Sequence, residues 1–92
     1  MKYTPPKPQD LERLKQELKL SSAAMADLFG VQGGRQWRKY TGGETPREIS
    51  PHILFFAMAR LELDDTTIKR VLDRMRRAGA SIDLAPGGEQ EP

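Results

Sequence analysis

Apolar residues recur at helical spacing along most of the chain. Side chains three or four positions apart lie on the same face of a helix, and such spacing occurs in five stretches: 11–18, 25–29, 37–40, 53–63 and 68–75. Polar residues stand between the apolar ones in most of these stretches, whereas 53–63 is apolar nearly all round. The pattern predicts an all-α fold with five helices.

Residues that start and stop helices flank these stretches. Side chains that can accept a hydrogen bond in a first helical turn are Asp10, Ser21 or Ser22, Ser50 before Pro51, and Asp64 or Asp65. Gly30 and Gly79 can take the left-handed conformation that ends a helix. The third helix is expected from about Gly34 to Thr41. Residues 81–84 alternate polar and apolar, which leaves room for a short C-terminal strand.

Length and composition fit one domain with two flanking segments. The chain has 92 residues, of which 37% are hydrophobic, and this is enough for one core. Three prolines in the first nine residues predict an extended N-terminal arm over 1–9. Residues 85–92 are poor in apolar side chains, which predicts a disordered tail. The expected domain is therefore 10–84.

Several kinds of chemistry are not expected from this composition. The chain has no cysteine, so we expect neither disulfides nor thiolate zinc sites, and a reducing cytoplasm is the natural compartment. His52 is the only histidine and the carboxylates are dispersed, so we expect no metal, no cofactor and no enzyme activity. No run approaches the roughly 20 apolar residues that span a membrane.

Basic residues are concentrated in one short segment. The net charge is only +2, but residues 1–43 hold eight Lys or Arg against four acids, while 44–92 hold seven against nine. Residues 32–43 contain three basic residues and no acid. Such asymmetry is expected of a surface that meets phosphates, although a solvated helix face has the same composition.

Residues 18–43 join this basic segment to a helix, a tight turn and a second helix. The pattern is carried by Ser22, Ala26, Gly30, Val31, Trp37 and Tyr40. It resembles the helix-turn-helix of the small phage repressor, Cro and XRE-type regulators, over residues 10–63 if flanking helices are included. Gln32 to Gly34 make the turn one residue longer than is usual in those families. Trp37 and Tyr40 match the inner face of a recognition helix, and stacking platforms for single-stranded bases are the other interpretation.

The resemblance implies a lambda-repressor-like fold and a function. We expect a transcriptional regulator, specifically a repressor of phage or mobile-element type, that binds double-stranded DNA in the major groove through the helix from Gly34 to Thr41. The DNA-binding residues implied are Ser22, Gln32, Gly34, Arg35, Gln36, Arg38, Lys39 and Thr41. The backbone N–H groups of Gly42 and Gly43 would hold phosphates.

The stretch 53–63 needs cover on more than one side. It is either the central core helix or part of the contact with a second subunit, and the two are compatible. Phe55, Met58 and Leu61 are the candidate residues of a homodimer interface. The alternative function is a helical protein-interaction module, such as an antitoxin or an inhibitor of a nucleic-acid enzyme.

The last predicted helix has acids at its start and bases toward its end. This order complements the helix dipole, so helix stability is a sufficient explanation of the charges. A second DNA-contacting surface at Lys69, Arg70, Arg74, Arg76 and Arg77 is the other interpretation.

Overall fold

The computed structural model describes residues 1–84, and within them there are five α-helices and no strand. The helices are α1 (Pro8–Leu18), α2 (Ser22–Phe29), α3 (Gly33–Thr41), α4 (Pro51–Glu62) and α5 (Asp65–Arg77). The predicted all-α class is confirmed over this part of the chain. The predicted disordered tail, 85–92, lies outside the described residues.

Helix α1 begins three residues earlier than the sequence pattern predicts, with its N-cap at Lys7 instead of Asp10. Asp10 is the third residue of the helix and not its N-cap, which is Lys7. The Asp10 carboxylate accepts a hydrogen bond from the Lys7 N–H at 2.9 Å and another from Arg13 at 2.8 Å. The bond from Lys7 stabilises the ionised carboxylate and lowers the pKa of Asp10. Pro8 can open the helix because its missing N–H would have had no intrahelical partner.

Three of the predicted caps are confirmed. The Ser21 hydroxyl accepts a hydrogen bond from the Ala24 N–H at 3.1 Å, which resolves the choice between Ser21 and Ser22. Ser50 accepts from the Ile53 N–H at 3.2 Å. The remaining cap is on α5, where Asp64 accepts from the Thr67 N–H at 2.7 Å. Hydrogen bonding to Thr67 lowers the pKa of Asp64.

The short C-terminal strand is not formed. The Ala80 N–H donates to the Met75 carbonyl at 3.0 Å, and Arg76 Nη2 donates to the Ile82 carbonyl at 2.9 Å. These bonds hold the segment against the end of α5. A single alternating segment of four residues finds no second strand to pair with among residues 1–84.

The described chain divides into two compact units within α4, one ending at Met58 and the other beginning at Ala59. The first unit contains a core of buried apolar residues, namely Leu11, Met25, Ala26, Phe29, Trp37, Tyr40, Ile49 and Ala57. The second contains α5, on which Leu72 is buried. None of the helices in 1–84 has the length and apolar character needed to cross a membrane.

The N-terminal arm and the loop before α4 are both hydrogen-bonded to residues of the first unit. The Tyr3 hydroxyl donates to the Ile49 carbonyl at 2.7 Å, and Ile49 itself is buried. In the loop before α4, the Arg47 N–H donates to the Lys39 carbonyl at 2.8 Å. The extended arm is 1–7 instead of the predicted 1–9, because α1 begins at Pro8. Its Tyr3 side chain ties the arm to the backbone of buried Ile49.

Candidate nucleic-acid interface

The turn between α2 and α3 is closed by backbone hydrogen bonds. Gly30 has φ 71°, and its N–H donates to the Asp27 carbonyl at 3.1 Å. The Val31 N–H reaches back to the Ala26 carbonyl at 2.9 Å, and this pair of bonds is the usual closure around a left-handed glycine. Gly33, also left-handed with φ 75°, is the first residue of α3. The residues between α2 and α3 are thus 30–32.

Helix α3 is anchored in the core by two aromatic side chains. Trp37 and Tyr40 are 0% and 5% exposed, and the Trp37 ring lies 4.9 Å from the Phe29 ring, centroid to centroid, at a tilt of 52°. Ala26 is also buried, as expected for a small residue at a helix crossing. The predicted core role of the aromatics is confirmed. The stacking interpretation is wrong, because bases stack on ring faces that must be open to solvent.

The opposite side of α3 is basic and open. Arg35, Arg38 and Lys39 are exposed, and within residues 1–84 none of them forms an ion pair or a hydrogen bond through its side chain. Gln36 and Thr41 are half-buried. The three cations therefore remain available to an anionic ligand.

The approach of α3 to α2 depends on Gly34. A Cβ at this position would lie 3.2 Å from the Ser22 Cβ and 3.3 Å from the Ala23 nitrogen. The absence of a side chain at Gly34 lets the two helices begin close together. Gln32, the N-cap of α3, makes no side-chain capping bond, and no acid stands in the first turn. The N-terminus of α3 therefore carries the positive end of the helix dipole, and no acidic side chain of α3 offsets that charge.

A shallow groove lies between α1 and the outer side of α3. Its volume is about 630 Å³, and it is lined by Glu12, Lys15, Ser22, Arg35, Arg38, Lys39, Thr41, Gly42 and Gly43. We call this the α1–α3 groove. It brings together five of the eight predicted DNA-binding residues, together with both glycines that were expected to present N–H groups. Gln32 and Gln36 do not line it, and Gly34 adjoins it through Ser22.

Helix α1 contributes residues that sequence reasoning missed. Lys15 adds a base and Glu12 adds an acid to the lining of the α1–α3 groove. A second depression of about 590 Å³ continues from it past Glu12, Arg13 and Gln16 to Pro46. From sequence, the polar face of α1 indicates only that these residues are exposed to solvent. Their position beside α3 depends on tertiary packing, which the sequence pattern does not reveal.

The three candidate dimer residues have different surroundings. Phe55 is 76% exposed, whereas Met58 is half-buried and packs against the core. Leu61 is 40% exposed. Phe55 is therefore the outward apolar residue on the part of α4 that belongs to the first unit, and most of the apolar excess in 53–58 is taken up by the core.

The groove carries basic, hydroxyl and backbone groups suited to phosphates and base edges. Among residues 1–84, no three His, Cys, Asp or Glu side chains lie together as metal ligands would. Comparison of the chain with protein-family models, with curated proteins and with solved structures gave no match.

Proposed function

We propose that this protein is a sequence-specific regulator of transcription, of the phage or mobile-element repressor type, that binds double-stranded DNA with α3 in the major groove. One observation carries the proposal: α3 is fixed in the core by Trp37 and Tyr40 while its opposite side presents Arg35, Arg38 and Lys39 without partners in the described chain. The backbone of a helix held in this way is already ordered, so binding has to order only the side chains of its outer face.

Base recognition is assigned to the outer side of α3. An arginine can donate two hydrogen bonds to guanine O6 and N7, and a glutamine can pair with adenine N6 and N7. Arg35 and Arg38 supply the first kind of contact and Gln36 the second. The half-buried position of Gln36 limits it to bases directly against the helix.

Phosphate contacts are assigned to the margins of the α1–α3 groove. Ser22 lies beside Gly34 at the start of α3, and Thr41, Gly42 and Gly43 lie at its end. Hydroxyl and backbone N–H groups fix the register of a protein on DNA without reading its sequence. Lys15 adds a positive charge from α1. Gln32 stands at the uncapped start of α3, where a phosphate would be stabilised by the helix dipole.

We further propose that the regulator acts as a homodimer in the cytoplasm. Phe55 is a large aromatic side chain that is 76% exposed. Covering it with a second copy of the chain would stabilise the dimer by removing apolar surface from water. Two-fold dimers place two recognition helices about 34 Å apart, one turn of DNA. The absence of cysteine suits a reducing compartment.

The test begins with selection of bound sequences from a random DNA library. Arg35→Ala and Arg38→Ala are then measured on the selected duplex, with Arg47→Ala as the matched control, because Arg47 is an exposed arginine outside the groove. Loss of a bidentate base contact should weaken binding by about 1 to 3 kcal/mol, or roughly 5- to 150-fold. The control should bind almost like the wild type.

Two results would contradict the proposal. Wild-type affinity in both Arg35→Ala and Arg38→Ala would show that α3 is not the reading helix. The absence of a mobility shift with any duplex, even at low salt where phosphate contacts are strongest, would exclude DNA binding. That second result would favour the protein-interaction module.

A further inference from the structure

Helix α5, in the second unit, has a charged face that the proposed function does not use. Arg70, Arg74 and Arg77 follow one another at spacings of four and three residues, which places them on one side of the helix. With Thr67 and Val71 they line a shallow depression of about 380 Å³. At 1.5 Å per residue, this arginine row is about 10 Å long.

Arg76, also on α5, is not part of the row, because its side chain is engaged in other contacts. Arg76 forms an ion pair with Asp73 at 3.0 Å and donates to the Ile82 carbonyl at 2.9 Å, so it ties the helix to the segment that follows. The same ion pair compensates Asp73, the acid that lines the depression. Within the described part of the chain, no hydrogen bond or ion pair is formed by the side chains of the row.

Helix stability accounts for only part of this arrangement. Arg74 and Arg77 stand in the last turn, where positive charge complements the helix dipole. Arg70 stands in the middle of the helix, four residues before Arg74, and like charges at this spacing destabilise a helix. The spacing of Arg70 and Arg74 is therefore unfavourable for the helix, and an anionic ligand would offset their repulsion.

The side chains of the row suit phosphate better than a membrane surface. A guanidinium can donate two parallel hydrogen bonds to one phosphate. A row of about 10 Å spans about three nucleotides of one strand, whose phosphates follow each other at about 3.4 Å along the axis. Helices that lie on membranes instead need a bulky apolar face. On α5, Leu72 is buried, and the exposed large apolar side chains are Val71 and Met75, at 47% and 37%, with no exposed Trp, Phe or Leu.

We propose that Arg70, Arg74 and Arg77 form a second phosphate-binding surface, which contacts the DNA backbone without reading its sequence. The choice of double-stranded DNA as the ligand rests on the proposed function. The row raises affinity for selected and unrelated duplexes alike, whereas α3 supplies the difference between them.

The first test removes the row from the full chain. In the row variant, Arg70, Arg74 and Arg77 are each replaced by Gln, which keeps helix propensity. The control variant carries Lys19→Gln, Arg47→Gln and Lys69→Gln, three exposed bases that line neither the row nor the α1–α3 groove. Both variants lose the same net charge. Binding of the selected duplex and of a random duplex is measured over a range of salt concentrations.

The row variant should lose about tenfold or more of its affinity for both duplexes at low salt. The slope of log K against log salt should become shallower by about 2.7, since each phosphate contact contributes about 0.9. The control variant should change the slope by less than 1 on the same scale. Equal slopes in the two variants would overturn the inference.

A second measurement separates the inference from the proposed function without any variant. The Nε–Hε NMR signals of the arginines in the wild type are followed as the selected duplex is added. Shifts in the row without shifts at Arg35 and Arg38 would support the row and contradict base reading by α3. Shifts at Arg35 and Arg38 alone would overturn the inference and leave the proposed function standing. Shifts at neither set would overturn both.

An acidic protein is the rival ligand for the row. Poly-glutamate serves as the probe, added to the wild type and to the row variant. If poly-glutamate shifts the row signals saturably while the duplex leaves them unchanged, the assignment to phosphate is overturned. The partner class would then be an acidic protein.

Discussion

Replacing Gly30 by alanine perturbs the turn between α2 and α3 in two ways. Gly30 has φ 71°, a left-handed backbone conformation that residues with a Cβ atom rarely adopt. A Cβ at this position would also lie 3.0 Å from Phe56 Cε2 and 3.4 Å from Phe56 Cδ2. The neighbour is a ring and not the end of a flexible chain, so relief requires movement of Phe56 or of the turn.

The two effects can be sized separately. A left-handed residue with a Cβ costs about 1 to 2 kcal/mol, and overpacking a filled site costs about 1 to 3 kcal/mol. Alanine regains about 0.4 to 1 kcal/mol because it restricts the unfolded chain. The free energy of unfolding should therefore fall by about 2 to 4 kcal/mol in Gly30→Ala.

Gly33→Ala is the matched control. Gly33 has nearly the same φ, 75°, but a Cβ there would have no other atom within 4 Å. Its cost should be about 1 kcal/mol, from the backbone alone. Urea-induced unfolding of both variants, followed through the loss of helicity, measures the difference. Phe56→Leu should cost less on the Gly30→Ala background than on the wild type, because it relieves the contact. If Gly30→Ala and Gly33→Ala unfold at the same urea concentration, the packing of Phe56 on the turn is refuted.

Tyr3→Phe removes the hydrogen bond to the Ile49 carbonyl and should lower the free energy of unfolding by about 0.5 to 1.5 kcal/mol, measured in urea at neutral pH. Burial, and secondarily the charge of Glu48, raises the pKa of Tyr3, so the folded protein holds this proton more tightly than the unfolded chain does. The contribution of Tyr3 is thus complete below about pH 10 and is lost as pH rises through the folded pKa, so the gap between wild type and Tyr3→Phe should narrow there; a gap that is constant with pH would contradict this. Lys19 ends α1 with φ 57°, and Lys19→Gly should raise the thermal midpoint by several degrees, since relief of the left-handed strain is worth about 1 kcal/mol. A lower midpoint would show that the Lys19 side chain contributes more than its backbone conformation costs.

The helix ends that could be predicted depend on neighbouring residues only. The Ser21 and Asp64 caps and the left-handed Gly30 use bonds within three to five positions, so their signals are complete in a short stretch of sequence. The start of α1 failed because Asp can serve as the N-cap or as the third helical residue. Pro8 is also ambiguous in sequence, because proline favours the first turn of a helix and breaks its interior.

The predicted strand at 81–84 is absent for a different reason. Alternation indicates which side of a segment is apolar but not whether a second strand exists to pair with it. The Arg76 bond to the Ile82 carbonyl, six residues away, carries no periodic signal.

The candidate site was predictable on α3 and not on α1. The three-residue spacing of Trp37 and Tyr40 identifies the inner side of α3, and the bases of the outer side follow from it. The positions of Glu12 and Lys15 depend on how α1 packs, which no local pattern encodes. On α4, an apolar run nearly all round could not distinguish inward Met58 from outward Phe55.

Trp37 gives the protein an internal spectroscopic marker. It is the only tryptophan, it is fully buried, and it lies in the unit Met1–Met58. Its fluorescence should be that of an indole kept from water, and the red shift on unfolding reports the first unit alone, whereas far-ultraviolet circular dichroism also registers α5. Coincident transitions by the two probes would mean that both units unfold cooperatively. An ellipticity loss that precedes the fluorescence change would mean that α5 melts while the core around Trp37 is still intact.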